Sequence, residues 1–167
     1  MTTPAFSTRH ARPDGEDGLR FARYLDTAAG GVFRFMLGGA SERILASAFV
    51  AAGHDLSYEH VTFAELDGTV IWMTSDYSAI QHRNSSDGPL VRAAGWHVFR
   101  MGIVSMITAR LFRFIDTIPD GDYYLQAIAV DENARGRGVG TSLFDRTVPR
   151  TSGCTIWFAR DTAMWTR

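Results

Sequence analysis

Residues 135 to 141 read Arg-Gly-Arg-Gly-Val-Gly-Thr and combine three glycines with two arginines in one short stretch. Glycine allows the backbone to approach a ligand closely and to adopt positive φ. Successive backbone N–H groups at the start of a helix form an anion site, to which arginine side chains add positive charge. A pyrophosphate suits this chemistry. The residues expected to hold it are Arg135, Gly136, Arg137, Gly138, Val139, Gly140 and Thr141.

The spacing of these glycines excludes two common nucleotide-binding motifs. Gly136, Gly138 and Gly140 alternate, whereas the dinucleotide fingerprint needs its third glycine one position later. The stretch also lacks the Gly-Lys-Ser/Thr of a nucleotide-binding P-loop. Taken alone, the pattern fits equally well a glycine-rich turn with solvated arginines. Its function therefore depends on the elements around it.

The flanking residues predict a strand before the turn and a helix after it. The uncharged run YYLQAIAV, residues 123–130, predicts a strand buried on both faces. Upstream, Asp67-Gly68 between two alternating segments is typical of a β-hairpin turn. The predicted strands are 6–12, 59–66, 69–77 and 153–159; the predicted helices are 16–28, 32–38, 41–52 with a Ser41 cap, and 138–147; residues 78–90 are predicted to be a polar loop.

One apolar segment, residues 96–115, could be mistaken for a membrane span. Arg100, Arg110 and Arg113 interrupt it, and its longest uncharged run is far shorter than the roughly 20 residues that a span requires. The segment instead predicts an amphipathic helix packed on the domain or on a neighbour. A helix lying on a membrane surface is the less favoured alternative.

The composition is that of an ordinary globular domain. Of the 167 residues 46% are apolar and 21% charged, and the formal net charge of −1 gives no basic field for nucleic acid. The one cysteine, Cys154, rules out an internal disulfide, and the five histidines lack metal-ligand spacing. The first residues lack the apolar core of a secretory signal. We expect a single domain over 1–167, a cytoplasmic location, no metal and no membrane span.

The segment LQAIAVDENARGRGVGTSLF resembles the acyl-CoA-binding segment of the GNAT superfamily of N-acyltransferases. The family signature Gln/Arg-x-x-Gly-x-Gly/Ala is met by Arg135, Gly138 and Gly140, after a strand ending in Ala129-Val130-Asp131. The order of predicted elements is also similar. The resemblance is close over 122–155 and loose over 6–77, so residues 78–120 are expected to be a helical insertion.

This resemblance implies an α/β (α+β mixed sheet) GNAT-like acyl-CoA N-acyltransferase fold and transfer of an acetyl group from acetyl-CoA to an amine. In the family the strand before the glycine turn separates from its neighbour and holds the pantetheine arm. The residues that would do so here are Ile128, Ala129 and Val130. An N–H near Ile128 would polarise the thioester carbonyl, and the backbone from Gly136 to Thr141 would bind the pyrophosphate.

The catalytic groups depart from the family pattern. Tyr124 occupies the position at which histone-acetylating relatives carry a glutamate base. Tyr124 and Gln126 are expected to share a strand face with Ile128 and to order a water, although neither is an obvious base at neutral pH. His60, Glu65 and Asp76 on the hairpin are the alternatives, each of which is also consistent with a solvated strand residue.

The last residues are a second departure. Relatives continue with a helix and two strands that the residues after Arg160 are too few to form, so the C-terminus is expected to be truncated. An acyl-CoA-binding module without catalysis is therefore the alternative function, and an interaction protein using residues 90–115 and the Trp-bearing tail is a third. Exposure of the strand at 153–159 would favour a homodimer, with Trp157 or the 96–115 helix at the contact.

Overall fold

The computed structural model describes residues 6–99, 102 and 117–135, together with the backbone of 156–158. Its strands form one mixed sheet in the order β1-β2-β3-β4-β5. Neighbouring strands are antiparallel except β4 and β5, which are parallel. The strands are β1 (Ser7–His10), β2 (Val61–Leu66), β3 (Thr69–Ser78), β4 (Tyr123–Val130) and β5 (Ile156–Phe158); the helices are α1 (Gly15–Ala28), α2 (Val32–Leu37), α3 (Ser41–Phe49), α4 (Ala79–Arg83) and α5 (Gly88–Ala94).

The predicted hairpin is confirmed. Asp67 and Gly68 connect β2 to β3 with φ values of 50° and 76°. Two consecutive left-handed residues match the right-handed twist of the flanking strands, which explains the preference for Asp-Gly at this turn. The turn thereby sets the register in which β2 and β3 enter the sheet.

Helices α1 and α3 pack against each other and against one face of the sheet. The core between them contains Phe21, Leu45, Phe49, Phe63 and Met73, all fully buried. At Gly18 an added Cβ would lie 3.0 Å from the Ala46 carbonyl oxygen, so the absence of a side chain permits the close approach of the two helices. We name this helix-covered side of the sheet the inner face.

Two local predictions were wrong. Ser41 is the first, buried residue of α3 rather than its cap, because the short 3₁₀ turn Gly38–Ala40 leads directly into the helix. The predicted polar loop over 78–90 instead contains α4 and the start of α5. The Ser78 hydroxyl and the Gln81 side chain form a capping box at α4, and Pro89 lies in the first turn of α5.

The predicted burial of β4 on both faces holds only in part. Buried residues such as Leu125 and Ala129 alternate with half-buried ones such as Ile128 and Val130. Of the helix predicted over 96–115, residues 96–99 and 102 are described, and Gly95–His97 form a short 3₁₀ turn. The rest of that helix, the glycine turn from Gly136, the helix predicted over 138–147 and most of the C-terminal segment lie outside the described residues.

A buried ion-pair network joins β1, α1 and β2. Arg9 donates two hydrogen bonds to Asp17, of 2.6 and 2.8 Å, and one of 2.7 Å to Glu65. Asp17 is 1% exposed and also accepts from the backbone N–H of Arg12. Burial alone would raise the pKa of Asp17, but the hydrogen bonds from Arg9 and Arg12 outweigh it and hold that pKa below its ordinary value.

Asp17→Asn should lower the free energy of unfolding at pH 7 by about 3 kcal/mol, because the half-buried Arg9 guanidinium loses its buried charged partner and keeps only the more exposed Glu65. A group with a depressed folded-state pKa stabilises the fold above its unfolded value of 3.8, and this contribution disappears as the pH falls through the folded value. Urea titrations at pH 7 and at pH 3 should therefore show a smaller difference from wild type at pH 3.

Glu42→Gln is the matched control, because the Arg23–Glu42 pair is exposed on both sides. It should change the free energy of unfolding by less than about 1 kcal/mol. Equal effects of the two substitutions would contradict the assigned role of Asp17.

Candidate active site

Strand β4 lies between β3 and β5. It pairs with β3 from Tyr123 to Val130, and with the three described residues of β5 from Tyr123 to Leu125. The residues after Phe158 lie outside the described ranges, so no strand partner is described for the edge of β4 turned away from β3 from Gln126 onward. Where no strand occupies such an edge, its N–H and C=O groups can bind an extended ligand in the manner of an added strand.

Strand β4 contains a β-bulge at Gln126, where its pairing with β3 is irregular. Ser75 pairs with Ala127 and Asp76 with Leu125, so Gln126 has no opposite residue on β3. One extra residue reverses the alternation of side chains along the strand. The expectation that Tyr124, Gln126 and Ile128 share one face was therefore wrong.

The bulge assigns these side chains to different surroundings. Tyr124 lies on the inner face against Tyr77, with ring centroids 5.4 Å apart. Ile128 packs with Trp72 on the opposite side, which we name the outer face. The Gln126 side-chain oxygen accepts a 2.9 Å hydrogen bond from the Ser75 hydroxyl. The structure thus places Gln126 at the β-bulge and Tyr124 two residues before it.

Burial raises the pKa of Tyr124 to about 12, and the negative charge of Asp55 adds to the effect. The phenol therefore stays protonated at neutral pH and can donate a hydrogen bond. It cannot serve as a base under these conditions. Among the predicted catalytic residues, Tyr124 is suited to orient a water or an acceptor.

A cluster that the sequence reasoning missed lies beside Tyr124. Asp55 Oδ2 is 2.6 Å from His82 Nδ1, and the Tyr77 hydroxyl donates to the same carboxylate. The His82 ring stacks on Tyr77 with centroids 5.7 Å apart and planes at 14°, and His60 contacts Tyr77 edge-on at 5.6 Å. Burial, with Asp55 nearby, raises the pKa of Tyr77 far above its ordinary value. We name Asp55, His60, Tyr77, His82 and Tyr124 the ring cluster.

Little in the sequence could have identified this cluster. Asp55 and His82 are 27 positions apart and belong to different elements. The Ser-x-x-Gln capping box at Ser78–Gln81 is the one available signal, because it starts the helix that carries His82 directly after β3.

The three alternative bases on the hairpin are placed apart from one another. Glu65 is bound to Arg9 in the ion-pair network. Burial lowers the pKa of His60, which keeps its ring neutral at neutral pH. Asp76 pairs with Leu125 across the strands, and burial raises its pKa to about 6 despite the nearby positive field of His10. Within the described residues no hydrogen bond reaches the Asp76 carboxylate.

Two buried polar groups on the outer face also lack partners. Trp72 Nε1 and the Thr74 hydroxyl are fully buried and make no hydrogen bond within the described part of the chain. Thr74 lies opposite Ile128 on β4. Together with the half-buried Asp76, they make a row of polar side chains along β3 that have no hydrogen-bond partner among the described residues. Such a row is uncommon in a protein interior.

The predicted cofactor-binding residues lie at the end of β4. Ile128, Ala129 and Val130 are the last residues of β4 and pair with β3, and Arg135 Nε donates a 3.1 Å hydrogen bond to the Val130 carbonyl oxygen. Beside them is a cavity of about 490 Å³ between α1, the β2–β3 turn and the end of β4. Arg20, Arg23 and Arg135 line it, together with Asp131 and Glu132. The remaining predicted anion-binding residues, Gly136, Arg137, Gly138, Val139, Gly140 and Thr141, lie outside the described residues.

Over the described ranges, no three His, Cys, Asp or Glu side chains are grouped so as to hold a metal ion. In the same part of the chain, every helix is too short or too polar to cross a membrane.

Asp76→Asn should raise the melting temperature more at pH 8 than at pH 5, because it removes a half-buried charge that has no hydrogen-bond partner among the described residues. A carboxyl whose folded-state pKa is raised from 3.8 to about 6 favours the fold at low pH, and this contribution is lost as the pH rises through 6. The shift corresponds to about 1–3 kcal/mol after allowance for partial exposure. Asp67→Asn at the exposed hairpin tip is the control; a pH-independent effect of Asp76→Asn would refute the assignment.

Comparison with known proteins agrees with this architecture. A crystal structure of an acetyltransferase is 22% identical, with a TM-score of 0.60 over 91% of this chain and 81% of that one. An N-acetyltransferase from Staphylococcus aureus Mu50 is 17% identical, with a TM-score of 0.55 over 90% and 80% of the two chains. No curated protein matches the sequence. The sequence profile of the acetyltransferase (GNAT) family matches residues 54–162, most of the chain and the whole of β2 to β5. The chain therefore belongs to the GNAT family of acetyltransferases, with the mixed α/β fold expected from its sequence.

Proposed function

We propose that this protein transfers an acetyl group from acetyl-CoA to the amine of an acceptor. The observation that carries the proposal is that β4 ends beside a cavity lined by Arg20, Arg23 and Arg135, in a chain whose residues 54–162 match the GNAT family. The proposal also uses the backbone N–H and C=O groups of Gln126–Val130 on the side away from β3, for which no strand partner is described. A pantetheine arm is an extended chain with two amides, so it can hydrogen-bond to such an edge as a further strand would.

In this proposal the cofactor lies along β4 towards the glycine turn. The backbone of Ile128, Ala129 and Val130 binds the pantetheine, and an N–H near Ile128 polarises the thioester carbonyl. The backbone from Gly136 to Thr141 binds the pyrophosphate, with charge from Arg135 and Arg137. Arg135 is suited to this role because its side chain is about half exposed and its ion pair with Glu132 is long, at 3.8 Å.

The acetyl transfer joins two reactants held side by side and needs no covalent intermediate on the protein. The neutral amine attacks the thioester carbon, the C–N bond forms and the C–S bond breaks. The proton that the nitrogen releases ends on the sulfur, so that CoA leaves as the thiol. Holding both reactants in one site supplies much of the acceleration. Tyr124, as a protonated donor, and Gln126, at the β-bulge, are proposed to orient a water or the incoming amine.

A CoA-binding module without catalysis is the alternative function. Release of free CoA thiol from acetyl-CoA on addition of primary amines supports the enzyme. Calorimetric binding of CoA without any amine-dependent release would support the binding module.

Gly138→Val should weaken CoA binding at least tenfold, about 1.4 kcal/mol, because a branched side chain obstructs the approach of the pyrophosphate to the backbone. Isothermal calorimetry measures the affinity. Gly39→Val is the matched control, since a Cβ at Gly39 meets nothing within 4 Å. Unchanged CoA affinity in a folded Gly138→Val protein would contradict the proposed cofactor site.

Tyr124→Phe should lower turnover while leaving CoA affinity within twofold of wild type, because it removes a hydroxyl and keeps the ring that packs on Tyr77. Steady-state thiol release and calorimetry give the two quantities. Tyr58→Phe, whose ring packs on Phe49, is the control. A turnover equal to that of wild type would exclude the Tyr124 hydroxyl from catalysis.

The organisation and setting of the protein stay predictions. We infer one domain with an insertion over about 78–120, and a cytoplasmic location consistent with a single cysteine. We also infer a homodimer with Trp157 or the 96–115 segment at its contact. Exposed Trp96 and Phe99, which are 81% and 72% accessible, support an apolar surface near that segment. Light scattering at micromolar concentration tests the dimer.

A further inference from the structure

The ring cluster contains a histidine held in one orientation by a carboxylate. The 2.6 Å contact joins Asp55 Oδ2 to His82 Nδ1, and Asp55 is itself fixed by the Tyr77 hydroxyl and by a 3.0 Å hydrogen bond from its own backbone N–H to the Ser85 hydroxyl. An ionised carboxylate accepts hydrogen bonds and cannot donate them, so Nδ1 carries the hydrogen. In the neutral ring, Nε2 then has the lone pair.

The pair is also reachable from solvent, unlike the rings beside it. The side chains of His82 and Asp55 are 25% and 24% exposed, whereas Tyr77 and Tyr124 are 2% and 3% exposed. The stacked Tyr77 connects His82 to Tyr124 through successive centroid separations of 5.7 and 5.4 Å. Tyr124 is the second residue of β4 and belongs to the described rungs that β4 shares with β5. The histidine thus lies near the first residues of β4, at the other end of the strand from Val130 and Arg135.

We propose that His82, oriented by Asp55, is the general base that deprotonates the acceptor amine, and that the ring cluster forms the acceptor side of the site. This inference rests on the proposed acetyltransferase function. It assigns the acceptor and the cofactor to opposite ends of β4. It also identifies the acceptor as a primary amine that arrives as an ammonium ion, attracted by Asp55 and by the faces of the aromatic rings.

The proton balance of the reaction requires such a base. An ammonium nitrogen loses two protons when it becomes an amide nitrogen. One passes to His82 Nε2, directly or through a water, and then to solvent; the other ends on the CoA sulfur, which leaves as the thiol. Asp55 stabilises the imidazolium that forms in between. No oxidant, reductant or metal is required.

The charged neighbours of His82 are compatible with this role. From the segment before β2 it meets Asp55, and from β3 it meets Tyr77, behind which lie His60 and Tyr124. On its own helix the adjacent Arg83 is engaged by Asp120 and by the Ile118 carbonyl oxygen. Within the described residues, Asp55 is therefore the carboxylate that contacts the ring.

The experiment compares His82→Gln with wild type in acetyl-CoA thiol release, using whichever of an alkylamine, an arylalkylamine and a lysine-containing peptide reacts fastest. Glutamine retains a donor for Asp55 but cannot accept a proton at neutral pH. We expect kcat/KM for the amine to fall about 100-fold or more at pH 7, with the Kd of acetyl-CoA within twofold of wild type. The loss should shrink as the pH rises, because the free amine then forms without a base.

Two further variants separate a chemical role from a structural one. Asp55→Asn should lower kcat/KM about tenfold or more, since it disturbs the tautomer and orientation of the ring. His82→Ala should recover activity when free imidazole is added, which a purely structural histidine would not allow. His97→Gln is the matched control and should keep the wild-type rate. In the described part of the chain, the hydrogen bond of His97 joins Nδ1 to the Ala94 carbonyl oxygen three residues before it.

The outcomes distinguish this inference from the proposed function. An active wild type with an unchanged rate and pH profile in His82→Gln would overturn the role of His82 and leave the acetyltransferase intact. Loss in His60→Gln together with no loss in His82→Gln would transfer the base to His60 and also overturn it. A wild type that binds CoA but releases no thiol with any of the amines would overturn both.

Discussion

The extra residue in β4 at Gln126 is the constraint on which the candidate site depends. Before it, β4 pairs with both β3 and β5; after it, the pairing with β3 continues, and the residues that follow β5 lie outside the described ranges. The reversal of the side-chain alternation at the bulge separates Tyr124 on the inner face from Ile128 on the outer face. One inserted residue thus directs a different set of side chains to each face, and in the proposed function it marks the start of the backbone edge that binds the cofactor.

The part of the sheet on the other side of β4 is held by ion pairs and by helix packing. The Arg9, Asp17 and Glu65 network connects β1, α1 and β2 through charged groups that are largely withdrawn from solvent. Helix α1 packs across the inner face, where the Tyr24 hydroxyl donates to the Val70 carbonyl oxygen at the start of β3. The close contact at Gly18 allows α3 to pack against α1. The strands that β4 joins are therefore fixed by contacts with two helices and by charged side chains.

The charged groups differ between the two ends of β4. Beside its last residues, Arg20, Arg23 and Arg135 line a cavity together with Asp131 and Glu132. Near its first residues, Asp55 lies among aromatic rings and contacts His82. Burial raises the pKa of Tyr77 and Tyr124, so both phenols stay protonated at neutral pH. In the proposed function the arginines face the phosphates of the cofactor, and Asp55 and His82 face the acceptor amine.

The sequence alone determined the family, the order of most elements, the β2–β3 hairpin and the identity of β4, because each depends on local patterns. Asp67-Gly68 is sufficient for its turn, and the run before Asp131 is sufficient for a strand. It also predicted that Ile128, Ala129 and Val130 end the strand before Arg135, and the structure places them there. Helix α4 was missed although its Ser78–Gln81 capping box was readable, because the polar residues around it were taken as a loop.

Only the tertiary structure decided which side chains meet. The bulge at Gln126 comes from the register between β3 and β4, and register is set by pairing between strands that are distant in sequence, so counting residues along β4 gave the wrong face for Tyr124. The pairing of Asp55 with His82 across 27 positions has the same origin. A local pattern specifies the backbone conformation of its own residues. It does not contain the packing of the segment before β2 against the helix after β3, and that packing is what brings a carboxylate to an imidazole.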